Sequence, residues 1–252
     1  MPQSPKHTTQ HRILKDILAD LQNAEAPITK ISIGSHMVAV SCGDQTGLAS
    51  CQGSHGLGDL SQPDLSELPP SGLELAQWLL HPPNFIPQAQ SLGLAAANAL
   101  MPEPPILKQT KGQGLILEHG IGRNVVIIGH FPFVEHMRPE FAQLSVLELA
   151  PRPGDLPATD ARLVLPEADV VAITGTALLN GTLADLLNLC RNDAYILILG
   201  PSTPFAPSLF NLGVNALAGA RVDDASKVHT GILKGQSFKA LNGANALVWQ
   251  KS

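Results

Sequence analysis

Four stretches in the second half of the chain place groups capable of chemistry directly after an apolar run. The first is Gly129-His130-Phe131-Pro132. The second is Glu148, followed by Pro151-Arg152-Pro153-Gly154-Asp155. The third is Thr174-Gly175-Thr176, continuing into Asn180-Gly181-Thr182. The fourth is Gly200-Pro201-Ser202-Thr203-Pro204. In an open parallel sheet, ligands sit beyond the carboxyl ends of the strands. The spacing therefore predicts one cleft lined by hydroxyls, amides and free backbone N–H groups, suited to a small polar or anionic molecule. Its candidate contacts are Gly129, His130, Glu148, Thr174, Gly175, Thr176, Asn180, Pro201, Ser202 and Thr203. His130 is a candidate for proton transfer. Each stretch also has a structural explanation. Thr182 with Asp185 three residues on resembles a capping box, and Thr203 before Pro204 resembles a helix start.

The first half holds a second group of interest, His36, Cys42, Cys51 and His55, the side-chain types that ligate transition metals. If Asp44-Gln45 is a two-residue turn, Cys42 faces Gly47 and Cys51 faces Val38, so the cysteines are not directly paired. Both cysteines can equally be core residues. His55, in the glycine-rich stretch Gly53 to Asp59, is freer and is a second candidate for proton transfer. Spacing alone leaves open whether His119, His130 and His136 converge. No G-x-G-x-x-G follows the first strand, and His130 and Phe131 are bulky where a pyrophosphate needs close approach, so NAD is not an expected cofactor. Glu148 does stand where many such domains place a ribose-binding acid. No G-x-S-x-G elbow is present, and Ser202 is flanked by Pro201 and Pro204.

The elements that must position these residues follow from periodicity. Ile13, Leu14, Ile17, Leu18 and Leu21 share one face of a helix over 11–22. Residues 28–42 read as extended, 43–46 as a turn and 47–51 as a second strand. Helices are expected over 72–80 and 87–100, and Met101-Pro102-Glu103-Pro104-Pro105 ends the second. From there the rhythm changes. Runs at 125–128, 144–149, 168–174, 195–200 and 216–222 are apolar on both faces and partly separated by helical patterns, with a last edge strand at 246–250. That is the pattern of a parallel sheet covered on both sides. The expected organisation is a small α+β domain over 1–108 and a doubly wound, Rossmann-like domain over 109–252.

Composition narrows the class. The 252 residues are 44% hydrophobic and 15% charged, with a formal charge of −5. No run of Lys and Arg offsets that charge, so nucleic acid is not an expected partner. Three cysteines do not make a disulfide framework and fit the reducing cytoplasm. No apolar run approaches the roughly 20 residues of a membrane helix, so a soluble protein is expected. The low surface charge leaves room for a homodimer.

The stretch Ala168-Asp169-Val170-Val171-Ala172-Ile173-Thr174-Gly175-Thr176-Ala177-Leu178-Leu179-Asn180-Gly181-Thr182 resembles the signature of the heavy-metal chelation domain family. Gly129-His130-Phe131-Pro132, Leu199-Gly200-Pro201-Ser202-Thr203-Pro204 and Gly213 to Gly219 resemble it in the same order. The resemblance implies an N-terminal domain similar to that of enolase, then a Rossmann-like domain, with small-domain residues closing the site. It implies a role linked to heavy-metal chelation, or to processing of a chelator or a pterin- or flavin-like metabolite. Enolase catalysis is not implied, because fold does not fix function. Two readings stand at this stage: a protein that handles a small polar molecule between the two domains, and a non-catalytic carrier of a transition metal or metal chelate.

Overall fold

The structure, a computed structural model, describes residues 8–21, 26–51 and 62–251. Helix α1 (Gln10–Ala19) starts at Thr9, whose hydroxyl accepts the Arg12 N–H, and buries Ile13, Leu14, Ile17 and Leu18. The expected face is present; Gln22 lies outside the described residues. Next come β1 (Ile28–Ile33), β2 (Met37–Cys42) and β3 (Gln45–Ser50), an antiparallel three-stranded sheet in the order β1-β2-β3. The run expected to be continuous over 28–42 is thus two strands, broken at Gly34-Ser35-His36. The second turn also differs from expectation. Cys42 pairs with Gln45 and Met37 with Ser50, so the turn residues are Gly43-Asp44. Gly43 has φ +56°, a left-handed value that a tight hairpin requires and that glycine adopts without strain.

Helix α2 (Gly72–Ala76) runs on into a 3-10 turn at Gln77–Leu79, and α3 (Ala89–Leu100) lies against β2 and β3. The second half begins with α4 (Gly112–Gly120) and β4 (Asn124–Ile128), then α5 (Val134–Met137), β5 (Gln143–Glu148) and the short β6 (Leu156–Pro157). It continues through α6 (Ala161–Val164), β7 (Val170–Thr174), α7 (Leu183–Leu189), β8 (Tyr195–Leu199), β9 (Ala216–Val222), α8 (Ala225–Leu233) and β10 (Ala244–Gln250). The sheet order is β10-β9-β8-β7-β4-β5-β6, parallel except for the edge strand β10. This is the expected α/β class: a small antiparallel α+β unit followed by a doubly wound sheet. The chain leaves β4 toward β5 on one side and reaches β7 on the other, so the direction of winding reverses between β4 and β7.

Alternation along the strands explains why both faces are covered. Val125, Ile127, Val146, Val170, Ala172 and Leu197 pack on one face with Leu115 and Ile116 of α4. Val126, Leu147, Val171, Ile173, Ile196 and Ile198 pack on the other, in a cluster that also includes α7 and Ile13 and Ile17 of α1. Helix α1 thus belongs by sequence to the first half and by packing to the second. It touches α7 and the 3-10 segment Pro207–Leu212. The reverse holds for α8, which packs on β1 and β2. There His229, buried, joins the Ser41 hydroxyl at Nε2 and the Ser32 hydroxyl at Nδ1, each at 2.8 Å.

Candidate functional site

The reversal point between β4 and β7 opens into a cavity of about 690 Å³, within the size range of small-molecule sites. Its walls come from the ends of β4, β5 and β7 and from the segments that follow them. Six of the residues singled out in sequence line it: Gly129, His130, Glu148, Thr174, Thr176 and Asn180. Sheet order brings them together, because β7, β4 and β5 are neighbours.

Gly129 ends β4 and turns the chain so that the His130 N–H donates to Glu148 Oε1 at 2.6 Å. The other carboxylate oxygen accepts the Leu149 N–H at 3.2 Å. Glu148 is therefore fixed by two backbone donors, one on each oxygen. The His130 ring is fixed separately. Its Nδ1 lies 3.2 and 3.3 Å from the two oxygens of Asp155. The Asp155 side chain is 2% exposed and also accepts the Arg152 N–H at 3.1 Å. An imidazole whose Nδ1–H points to a buried carboxylate carries its acceptor lone pair on Nε2. Asp155 thus holds the His130 ring in one orientation.

On the β7 side, the Thr174 and Thr176 hydroxyls are bonded to each other at 2.9 Å. Asn180 Oδ1 accepts from both the N–H and the hydroxyl of Thr182, at 3.2 and 2.7 Å. Thr182 therefore does not cap α7 with its side chain, contrary to the capping-box explanation. With Oδ1 engaged, the Asn180 amide NH2 is the half that can donate to a ligand. Arg162, Thr159 and Asp185 also line the cavity, and so does Asn188, which exchanges two hydrogen bonds with the backbone of Thr8 ahead of α1.

Gly175, Pro201, Ser202 and Thr203 are placed elsewhere. The 200–204 loop follows β8, on the far side of β7 from the cavity, and faces the small sheet. Ser202, buried, accepts the Ser50 N–H at 2.8 Å and donates to the Ser50 hydroxyl at 3.0 Å. Gly175 lies so close to this loop that a Cβ there would stand 2.7 Å from Thr203 Oγ1 and 2.8 Å from Thr203 N. These residues join the two halves, and none of them lines the cavity.

The metal candidates separate. Cys51 donates its backbone N–H to the His36 carbonyl, which brings those two residues side by side. Cys42 is at the other end of β2, about 20 Å away by strand rise. Cys42 is buried, and burial pushes its thiol up to about 11, away from the thiolate a metal needs. His55 and the glycine-rich stretch lie outside the described residues. Among the described residues no three His, Cys, Asp or Glu side chains gather in a metal-ligating group. His119, His130 and His136 do not converge either. His119 stacks on Tyr195 at 3.6 Å at the opposite end of the sheet, and His136 is exposed on α5.

Sequence reasoning missed Arg162 and Thr159 as cavity residues, and Asp155 as the partner that holds His130. Asp155 stood in a quoted loop, but its partner is 25 positions away, and only the pairing of β4 with β5 and β5 with β6 brings the two together. The cavity wall, among the described residues, runs from 128 to 189 and takes nothing from the first half. The expectation of a cleft between the halves therefore finds no contributing residue there.

A doubly wound sheet with a cavity at its reversal point defines a Rossmann-like fold. The chain belongs to the family described as "Putative heavy-metal chelation", which matches residues 113–249; a second family of the same description matches residues 15–101. A crystal structure of a family protein of unknown function from Desulfitobacterium hafniense is similar over 96% of this chain and 99% of that one, with TM-score 0.83 and 25% identity. A second, from Pyrococcus horikoshii, covers 96% and 98% with TM-score 0.72 and 22% identity, and shows the same fold. An uncharacterised protein of Methanocaldococcus jannaschii is 29% identical over 147 residues, which is 55% of this chain and 56% of that protein. No described helix is long and apolar enough to cross a membrane.

Proposed function

We propose that this protein binds a small polar molecule in the cavity at the reversal point and moves a proton on it through His130. The family description, heavy-metal chelation, supports reading that molecule as a chelator or as a metabolite from which a chelator is made. The observation that carries the reading is His130, on the wall of a cavity of about 690 Å³, with its ring held by the buried Asp155. Nε2 takes the proton from a ligand O–H or N–H, while the bond from Nδ1–H to Asp155 keeps the ring in place. The Asn180 amide and the Thr174 and Thr176 hydroxyls orient the ligand. A metal carrier has no ligand set to rest on among the described residues.

The test is extraction of untagged protein followed by mass spectrometry of what it releases. Wild type and His130→Gln should release the same small molecule, and Asn180→Ala should release at least tenfold less, the loss expected for a hydrogen bond to an oriented amide in a dry site. If Asn180→Ala retains the molecule as well as wild type, the cavity is not its site.

A further inference from the structure

The chemistry of the cavity selects among polar molecules. We infer that its ligand carries a ribosyl cis-diol joined to a flat ring, a nucleoside without a phosphate. This inference rests on the cavity being the ligand site, and it narrows the ligand class.

Three observations carry it. The first is Glu148. Each of its oxygens is held by one backbone N–H, so the group cannot swing away, and each oxygen keeps acceptor capacity. A fixed, acceptor-only carboxylate at the end of the second strand, beside the winding reversal, is the group that takes two vicinal hydroxyls in doubly wound folds. The second is the charge of the wall. Glu148 and Asp185 face one Arg162, with no lysine among the lining residues. No glycine-rich turn opens a backbone nest, since His130 and Phe131 occupy that place. A phosphate would meet two carboxylates and few donors.

The third is an apolar platform beside the acid. Leu149 follows Glu148, lines the cavity and is 69% exposed, so its side chain is open to a ligand. The register of β5 on β6 pairs Leu147 with Leu156 and Glu148 with Pro157, so the next positions are Leu149 and Ala158. Ala158 and Ala161 also line the cavity and are small. In this assignment the flat ring lies over the leucine and these alanines, with its sugar over Glu148.

The experiment is a backbone amide NMR titration of the full chain with four common ribonucleosides, their 2′-deoxy forms and their 5′-monophosphates. The expected result is shifts at Glu148, Leu149 and Asn180 for at least one ribonucleoside. Its deoxy form should bind about tenfold or more weakly, and its monophosphate no more tightly. Glu148→Gln, which keeps only one of the two backbone bonds, should abolish the ribo-over-deoxy preference at a temperature where the variant's amide spectrum is that of the folded protein. Shifts at the cavity with equal affinity for ribo and deoxy forms, or with a preference for the monophosphate, would overturn the diol assignment. So would silence toward every nucleoside up to about 1 mM. The extraction experiment with Asn180→Ala reads the cavity independently, so a failed diol and a failed site give different results.

Discussion

At the residue scale, two histidines are held by hydrogen bonds of opposite character. His130 is fixed by a carboxylate, and Asp155 is a positioning residue for it. Asp155→Asn should leave the fold intact but let the ring choose its other tautomer. Long-range 15N–1H spectra at pH 8 should show Nε2 unprotonated in wild type and a mixture in the variant. Identical spectra would remove Asp155 from the site. His229 is fixed instead by two neutral hydroxyls, Ser32 and Ser41. Burial, reinforced by Lys30, lowers its pKa from the usual 6.5 to about 4. The unfolded chain therefore binds a proton that the folded one refuses between those values. Stability from this residue is complete above about pH 6.5 and is lost as pH falls toward 4, on the order of 3 kcal/mol in all. Urea midpoints of wild type and His229→Gln should converge as the pH is lowered through that window. Parallel midpoint curves would contradict the assignment.

At the scale of elements, Gly175 shows why a residue at a strand end need not touch a ligand. It ends β7 where the 200–204 loop passes, and the loop's backbone occupies the space of a side chain. Gly175→Ala should cost about 1–3 kcal/mol by forcing that loop and its Ser202–Ser50 link apart. Denaturant titration measures it, and an unchanged midpoint would show that the loop gives way freely. The same elements explain what could be read in advance. The parallel strands were legible because each is apolar on both faces, and α1 because its apolar spacing is unambiguous. The break at Gly34-Ser35-His36 was not legible, because β1 and β2 share one extended composition across it. Six cavity residues were legible because strand ends are marked by glycine and hydroxyls. Ser202 and Thr203 carry the same marks, and only sheet order sets them on the other side of β7. Asp155 and His229 act through partners 25, 188 and 197 positions away, separations that no local pattern encodes.

At the scale of the molecule, α1 and α8 are exchanged between the halves, and one apolar cluster runs through both. Ile17 is fully buried there. Ile17→Ala should cost about 2–4 kcal/mol and lower the stability of both halves together. The two tryptophans report them separately: Trp78 stands in the first half, and Trp249 packs edge-on to Phe210 in the second. Variants Trp78→Phe and Trp249→Phe, each leaving one reporter, should give coincident unfolding midpoints. Two separated transitions would mean that the halves fold as independent units.

The placement of α1 also bears on how the chain is made. Gln10 donates to the Leu178 carbonyl, and Asp20 accepts the Ser208 N–H, so the seat of this helix is formed about 170 to 190 residues downstream. At roughly 5–20 residues per second, α1 leaves the ribosome some ten seconds or more before anything exists to cover Ile13 and Ile17. Synthesis therefore exposes an apolar helix early and closes the fold only once the β8–β9 connection has emerged.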